Sequence, residues 1–569
     1  MHFFKTIVFV FCLQTLLSAQ PLTVENISAH IENSLETRVK GSYKNYLKYI
    51  YTKFDNKPIW VTNNNKDKLN QIIAALKNPL FNYKNKTFDQ RAIGRLFYQL
   101  DNEEIKSSKK AAVYARLDLM LTNSYLRLIR FIVQGDVDWD LVQKKFKSLE
   151  QTDDIKSRWE MSFKKFPDIK TITSSLYDEN IQGYLTSLLP MEKRYRKLVK
   201  LLKVYRVMNK FPKIPYSAKS FKLGDSSSRI ALIKKRLQIS GDYPKDIEIS
   251  NKFGTPLKKA ALSYQKRYLL KVTGQIDKTM TWYLNQPAKK NIQAILTNLD
   301  KTKLYSKQFE NEYVEVNIPD FNLRYYKEGE KIMKMGLVVG RIDRPTPIFS
   351  DQIEYMVLNP TWTIPNNLIK RDLIHVLREN PMYLEENNIH VFKGKKEINI
   401  TQEMLDPYEH SKKRVPFRFV QFPGENNALG RVKFIFPNKY AVYLHDTDNK
   451  SLLSRRYKVY SSGCMRVEKP FDLIDTLLPH AKGSYSSSKI ENILESNKPT
   501  TIRLSEAIPV HILYFTVYEE DGLAYFKNDI YLYDKIIEES TKGHKKRTFT
   551  VPKKRMIAIK KKKIQPLSN

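Results

Sequence analysis

The chain has 569 residues, with 98 Lys and Arg against 60 Asp and Glu for a formal charge of +38, and it is 41% hydrophobic and 12% aromatic. A chain this long and this apolar builds conventional cores in roughly three or four domains, which excludes both a small disulfide-stapled scaffold and disorder throughout. The positive excess points either to an anionic partner or to a solvated Lys-rich surface.

Residues 1–19 read as a secretory signal peptide. Lys5 precedes an apolar run from Ile7 to Leu13, which Leu16 and Leu17 continue before the small pair Ser18-Ala19. The run falls short of the about 20 apolar residues of a spanning helix, and Cys12 is part of it. Export to the periplasm or cell envelope argues against nucleic acid and for a wall polymer or membrane surface as the anionic partner. Cleavage near Ala19, with an uncleaved anchor as the alternative, would leave Cys464 as the single mature thiol, either reactive or a buried core residue.

Residues 20–210 carry helical periodicity without clustered chemistry and are expected to form a helical scaffold. Leu69, Ile72, Ile73 and Leu76 make one stripe, and Leu117, Leu121, Tyr125 and Leu128 another that stops at Gly135. Two prolines in Phe211-Pro212-Lys213-Ile214-Pro215 mark a boundary. Within residues 211–300, Ile230, Ile233 and Leu237 form one stripe, and Leu257, Ala261, Tyr264 and Tyr268 a second that starts at Thr255-Pro256. With Leu223-Gly224-Asp225 and Gly274-Gln275-Ile276-Asp277, this segment resembles the three-helix peptidoglycan-binding module.

After Leu299 the period changes to two, with Val314, Val316 and Ile318 alternating with Glu315 and Asn317, then a turn at Glu328-Gly329. Residues 301–536 are therefore expected to be a mainly-β domain, with strands at Tyr355–Leu358, Val432–Phe436 and Ala441–Leu444. A helical insertion at about 366–414 interrupts it, with Ile369, Leu373 and Leu377 on one face. Residues 537–569 form a basic tail containing Lys545-Lys546-Arg547 and Lys560-Lys561-Lys562-Lys563, a pattern suited to acidic polymer or lipid headgroups. The expected fold class is α+β multidomain.

The chemistry concentrates between Tyr443 and Val467. His445 ends a hydrophobic strand, 19 residues before Cys464. A thiol is a weak nucleophile until ionised, and an imidazole can take its proton and hold the thiolate as an ion pair. Gly463 permits a tight turn beside the sulfur, where backbone amides can face a tetrahedral oxyanion. Arg466 suits a substrate carboxylate. On residue chemistry alone, a structural histidine remains the alternative.

The blocks His445-Asp446-Thr447 and Ser461-Ser462-Gly463-Cys464-Met465-Arg466-Val467 resemble the active-site signature of bacterial L,D-transpeptidases. Asn317-Ile318-Pro319, Val339-Gly340-Arg341, Asn359-Pro360-Thr361-Trp362 and Leu429-Gly430-Arg431-Val432-Lys433-Phe434 resemble the large periplasmic members. The resemblance implies a cysteine acyltransferase that crosslinks peptidoglycan stem peptides without cofactor or metal, and that a carbapenem would acylate. It implies Cys464 as nucleophile, His445 as base and then acid, and the amides near Gly463 and Cys464 as oxyanion hole. Arg466 and Tyr443 would orient the stem, with Ser461 or Ser462 supporting His445. Trp362 would line the pocket or belong to the core, and the insertion would be a capping subdomain. Such chemistry needs no ATP, since the thioester conserves the energy of the cleaved peptide bond.

Two rival readings stand beside it. One is an L,D-carboxypeptidase or endopeptidase on the same fold, which would shorten stems without joining them. The other is a non-catalytic wall-binding protein. A zinc hydrolase is disfavoured, because no His-x-x-x-His spacing accompanies His445, with His480 and His511 the next histidines.

Overall fold

The computed structural model describes residues 23–62, 65–150, 158–178, 180–268 and 270–541. The signal peptide expected at 1–19 and the basic runs of the tail lie outside them. The fold is α+β multidomain, a helical N-terminal region and a mainly-β domain. It divides into two compact units.

The first unit holds the described residues up to 136, with 163–206 and 302–307. Its axis is the 27-residue helix Ser107–Val133, against which helices Val24–Thr37, Lys44–Lys53, Lys66–Lys77 and Gln90–Asp101 pack. Leu117, Leu121, Tyr125 and Leu128 are fully buried along it, the i, i+4, i+8, i+11 stripe of a helix facing a core. Gly135 takes a positive φ of 72° just past the helix, and its N–H closes on the carbonyls of Arg130 and Phe131. Asp118 is buried in the same helix and accepts from the Tyr51 hydroxyl at 2.5 Å and from the amides of Ile59, Trp60 and Val61 at 2.8–3.1 Å.

The second unit gathers the described residues of 137–162, 207–301 and 308–541, so part of the expected scaffold segment packs with the β domain. Trp159 pairs with Ile348 and Val137 with Thr541 as isolated bridges. Helices Ser228–Ser240, Thr255–Arg267 and Lys278–Leu284 surround Ile230, Ile233, Leu237, Leu257, Tyr264 and Met280. Ser227 and Asp277 cap two of them through their side chains.

The strands are β1 (Glu312–Asn317), β2 (Asn322–Lys327), β3 (Glu330–Gly340), β4 (Ser350–Leu358), β5 (Trp362–Thr363), β6 (Ile389–Lys393), β7 (Lys396–Glu397) and β8 (Arg418–Gln421). They continue as β9 (Val432–Ile435), β10 (Leu444–His445), β11 (Val459–Ser461), β12 (Met465–Val467), β13 (Thr500–Leu513), β14 (Val517–Glu520) and β15 (Leu523–Phe526). Nine form one sheet in the order β11-β3-β12-β10-β9-β4-β13-β1-β2, and β2 also pairs with β3, so the sheet curls back on itself. Glu328 and Gly329 both have positive φ, 52° and 82°, which makes the tight hairpin between β2 and β3. The alternation in β1 does not separate core from solvent: Glu315 and Asn317 are buried as well. Asn317 is satisfied there by exchanging two hydrogen bonds with the backbone of Phe515.

Strands β4 and β9 are antiparallel neighbours, with Leu358 opposite Val432. Everything between them is an excursion from one hairpin, closed by the Asn359 N–H on the Arg431 carbonyl. The excursion is not the purely helical insertion expected at 366–414. It begins at 359, ends at 431, and combines helices with the small sheet β5-β8-β6-β7. Ile369, Leu373 and Leu377 do share its core, with Ile389, Val391 and Phe419 from the strands. Two other expectations shift. Of the run at 441–444 only Leu444 is strand, in β10. Helix Tyr533–Glu539 buries Ile536 and Ile537, which carries ordered packing past residue 536.

Candidate active site

Side chains alternate across a strand, and directly paired residues share a face. Leu444 pairs with Phe434 and Met465, and all three are fully buried on the core side. The opposite parity therefore places Lys433, His445 and Arg466 on the other face, with Tyr443 and Cys464 following the same alternation just outside the ladder. Sequence-distant residues meet because β10 lies between β9 and β12.

Cys464 is partly accessible, and its Sγ lies 3.9 Å from the Ala441 carbonyl. Burial pushes the thiol up to about 11, against the opposing pull of Tyr443 and of the positive charges on Arg466 and Lys433. His445 is 4% exposed, and burial, followed by repulsion from Arg466, holds it down to about 3. Both groups therefore rest neutral at pH 7. This differs from the expected thiolate–imidazolium pair, because desolvation disfavours both charges. Among the described residues no hydrogen bond joins the sulfur to the imidazole. His445 Nδ1 lies 2.5 Å from the Asp446 carbonyl oxygen, which can only accept. Nδ1 thus carries the proton and Nε2 is the basic nitrogen.

The serines act elsewhere than expected. Ser461 Oγ donates to the Cys464 carbonyl at 2.5 Å and accepts from the Gly463 N–H at 3.2 Å. Ser462 accepts from Arg344 at 3.0 Å. His445 is oriented by backbone, not by either hydroxyl. Gly463 has φ of 120°, a conformation that favours glycine over residues with a side chain. Its N–H, committed to Ser461, turns away from the role expected of it in an oxyanion hole. The Cys464 N–H, by contrast, meets no acceptor among the described residues.

Around this pair the backbone is pinned by a carboxylate. Asp446 accepts from the Arg431 N–H at 2.9 Å and pairs with Lys450. Gly430, at φ of 57°, lies so close that a Cβ there would fall 2.3 Å from the Asp446 carboxylate. Arg466 donates to Thr447 Oγ1 at 3.1 Å, while its Nε finds no acceptor among the described residues. Lys433 reaches the Thr361 carbonyl at 3.4 Å and lies 6.0 Å from the Tyr443 ring centre. Burial lowers its pKa, and the Cys464 thiolate would raise it. Tyr443 packs its ring edge against His445, with centroids 5.7 Å apart.

Trp362 is half-buried, and the cleft it lines includes neither Cys464 nor His445. It packs on the core of the excursion and lines a cleft with Tyr383, Ile389, Gln421 and Asp448. Arg344 bridges Asp372 of the excursion at 2.7 Å and Ser462 beside the nucleophile. Sequence reading missed Arg344 and Thr346, whose only local signal is the pair of prolines in Arg344-Pro345-Thr346-Pro347. Lys433 does carry a signal, as a cation between Val432 and Phe434 in an apolar strand.

Comparison with known proteins agrees with this geometry. Residues 311–491 match the YkuD family, described as the L,D-transpeptidase catalytic domain. Residues 45–202 match a family described as a scaffold domain. A Haemophilus influenzae protein named "Putative L,D-transpeptidase" is 34% identical over 222 residues, which are 39% of this chain and 44% of that protein. The chain thus spans less than half of the length of that relative. Among solved structures, an L,D-transpeptidase of Xylanimonas cellulosilytica is 11% identical, covering 52% of this chain and 100% of that one at a TM-score of 0.17. One from Mycobacterium smegmatis is 11% identical, covering 37% and 61% at a TM-score of 0.17. The assignment rests on the sequence matches. Cys464 and His445 both lie within the residues that match the L,D-transpeptidase (YkuD) family.

Proposed function

We propose that the protein is an exported L,D-transpeptidase that crosslinks peptidoglycan stem peptides through a thioester on Cys464. The observation that carries this reading is the shared face of Lys433, Tyr443, His445, Cys464 and Arg466 within the residues that match that family. In this reading His445 Nε2 takes the thiol proton as sulfur attacks the donor carbonyl between an L-centre and the terminal D-residue. Since both groups rest neutral, proton transfer accompanies attack instead of preceding it. The Cys464 N–H faces the oxyanion. Collapse forms the thioester, breaks the C–N bond, and sends the imidazolium proton to the leaving amine. The side-chain amine of a second stem then attacks the thioester, gives its proton to His445, and frees the sulfur.

Arg466 and Lys433 supply donors for stem carboxylates, while Tyr443 and Trp362 bound the stem. Ser461 and Gly463 shape the nucleophile's turn, and Ser462 tethers Arg344. Residues 211–300 and the basic tail are the wall contacts, glycan and anionic polymer respectively. Purified wild-type protein incubated with disaccharide-tetrapeptides should give crosslinked dimers by mass spectrometry, and Cys464→Ala none. Shortened stems without dimers would make it the carboxypeptidase or endopeptidase. Wall pull-down with neither product would make it a binding protein.

A further inference from the structure

We infer that Thr346 is a positioning residue for the oxyanion donor, acting through the peptide plane between Gly463 and Cys464. The carbonyl and N–H of one trans peptide point in opposite directions, so whatever holds the Gly463 oxygen also aims the Cys464 N–H. Thr346 Oγ1 donates to that oxygen at 2.9 Å from a fully buried position. The peptide lies between β11 and β12 in neither ladder, and it follows a glycine at φ of 120°. Glycine's wide conformational range leaves such a plane free to rotate unless something outside the turn stops it.

Thr346 is itself fixed. Its hydroxyl accepts from the Gly340 N–H at 2.9 Å, so its single proton is directed to Gly463. Tyr531 donates to the Gly340 carbonyl at 2.7 Å and accepts from the Thr346 N–H at 3.2 Å. Gly340 is required by this closeness: a Cβ there would lie 2.2 Å from the Arg344 carbonyl oxygen. The end of β3, the loop to Thr346 and Tyr531 thus form one buried brace whose free end grips the nucleophile's peptide.

The inference rests on Cys464 being acylated as proposed above, and two reactions of the same sulfur test it. Acyl transfer to Cys464 develops an oxyanion, whereas alkylation by iodoacetamide does not. Thr346→Val should lower kcat for dimer formation about 10- to 100-fold with KM and the alkylation rate within about threefold of wild type. Thr346→Ser should restore kcat. Thr346→Ala provides a second hydroxyl-free variant if valine does not fold. Equal losses in alkylation and acylation, no loss in either, failure of serine to rescue, or loss of the folded state in both hydroxyl-free variants would each overturn the inference. Wild-type protein that alkylates but never acylates would overturn the proposed function itself.

Discussion

Two polar clusters, a buried one in the first unit and a partly accessible one in the second, differ in how completely they are satisfied. In the first unit the Asp118 carboxylate accepts four hydrogen bonds. Thr122 there accepts from Trp60 Nε1, meets the Tyr51 hydroxyl, and donates to a carbonyl. On the sheet face, capacity is left over: the Cys464 N–H, Arg466 Nε and His445 Nε2 have no protein partner among the described residues. A saturated cluster fixes a fold, and a cluster with spare donors and one spare base is built for a guest. Burial raises the acid in both, Asp118 to about 6 and Cys464 to about 11, so a displaced pKa does not distinguish the two.

The contrast breaks most sharply under Cys464→Ala. Dimer formation should fall at least about 1,000-fold while the melting transition of the protein stays put. Residual crosslinking near wild-type rate would refute the nucleophile.

Asp118→Ala should do the reverse. Leaving three amides and a hydroxyl without their acceptor costs about 3 kcal/mol, visible as a lower denaturant midpoint, while the fraction that remains folded keeps its acylation rate. A drop in acylation per folded molecule would show that the clusters are not separable.

The alkylation rate of Cys464 should climb about tenfold per pH unit through pH 9 and beyond, because a thiol raised to about 11 keeps gaining thiolate until that pH. A plateau near pH 7 would mean that the ion pair forms in the resting protein after all. Smallest of all, Ser462→Ala should change acylation by no more than about threefold, since Arg344 keeps its pairing with Asp372.

Legibility in the sequence followed the range of the interactions. Tyr443 to Thr447 and Ser461 to Val467 are short blocks whose residue types already state their chemistry, and the nucleophile's turn announced itself through Gly463. The scaffold stripe from Leu117 to Leu128 was readable because a 27-residue helix repeats its period many times. Strands β6, β7 and β8 run only two to five residues, too short for a period to emerge, so the insertion read as helical. Thr346 stayed hidden because its partner lies 117 residues away. The fate of the Gly463 amide stayed hidden too, since which way a peptide faces depends on such distant contacts.

The hairpin that opens between Leu358 and Val432 has a consequence for how relatives of this protein can diverge. Its two ends leave and rejoin the sheet on adjoining, paired residues. A graft that swaps residues 359–431 for another polypeptide with equally close ends would keep the β4–β9 pairing that holds Lys433 beside His445. Such chimeras would recombine pocket walls with an unchanged chemical centre, as exchangeable tools on a common handle.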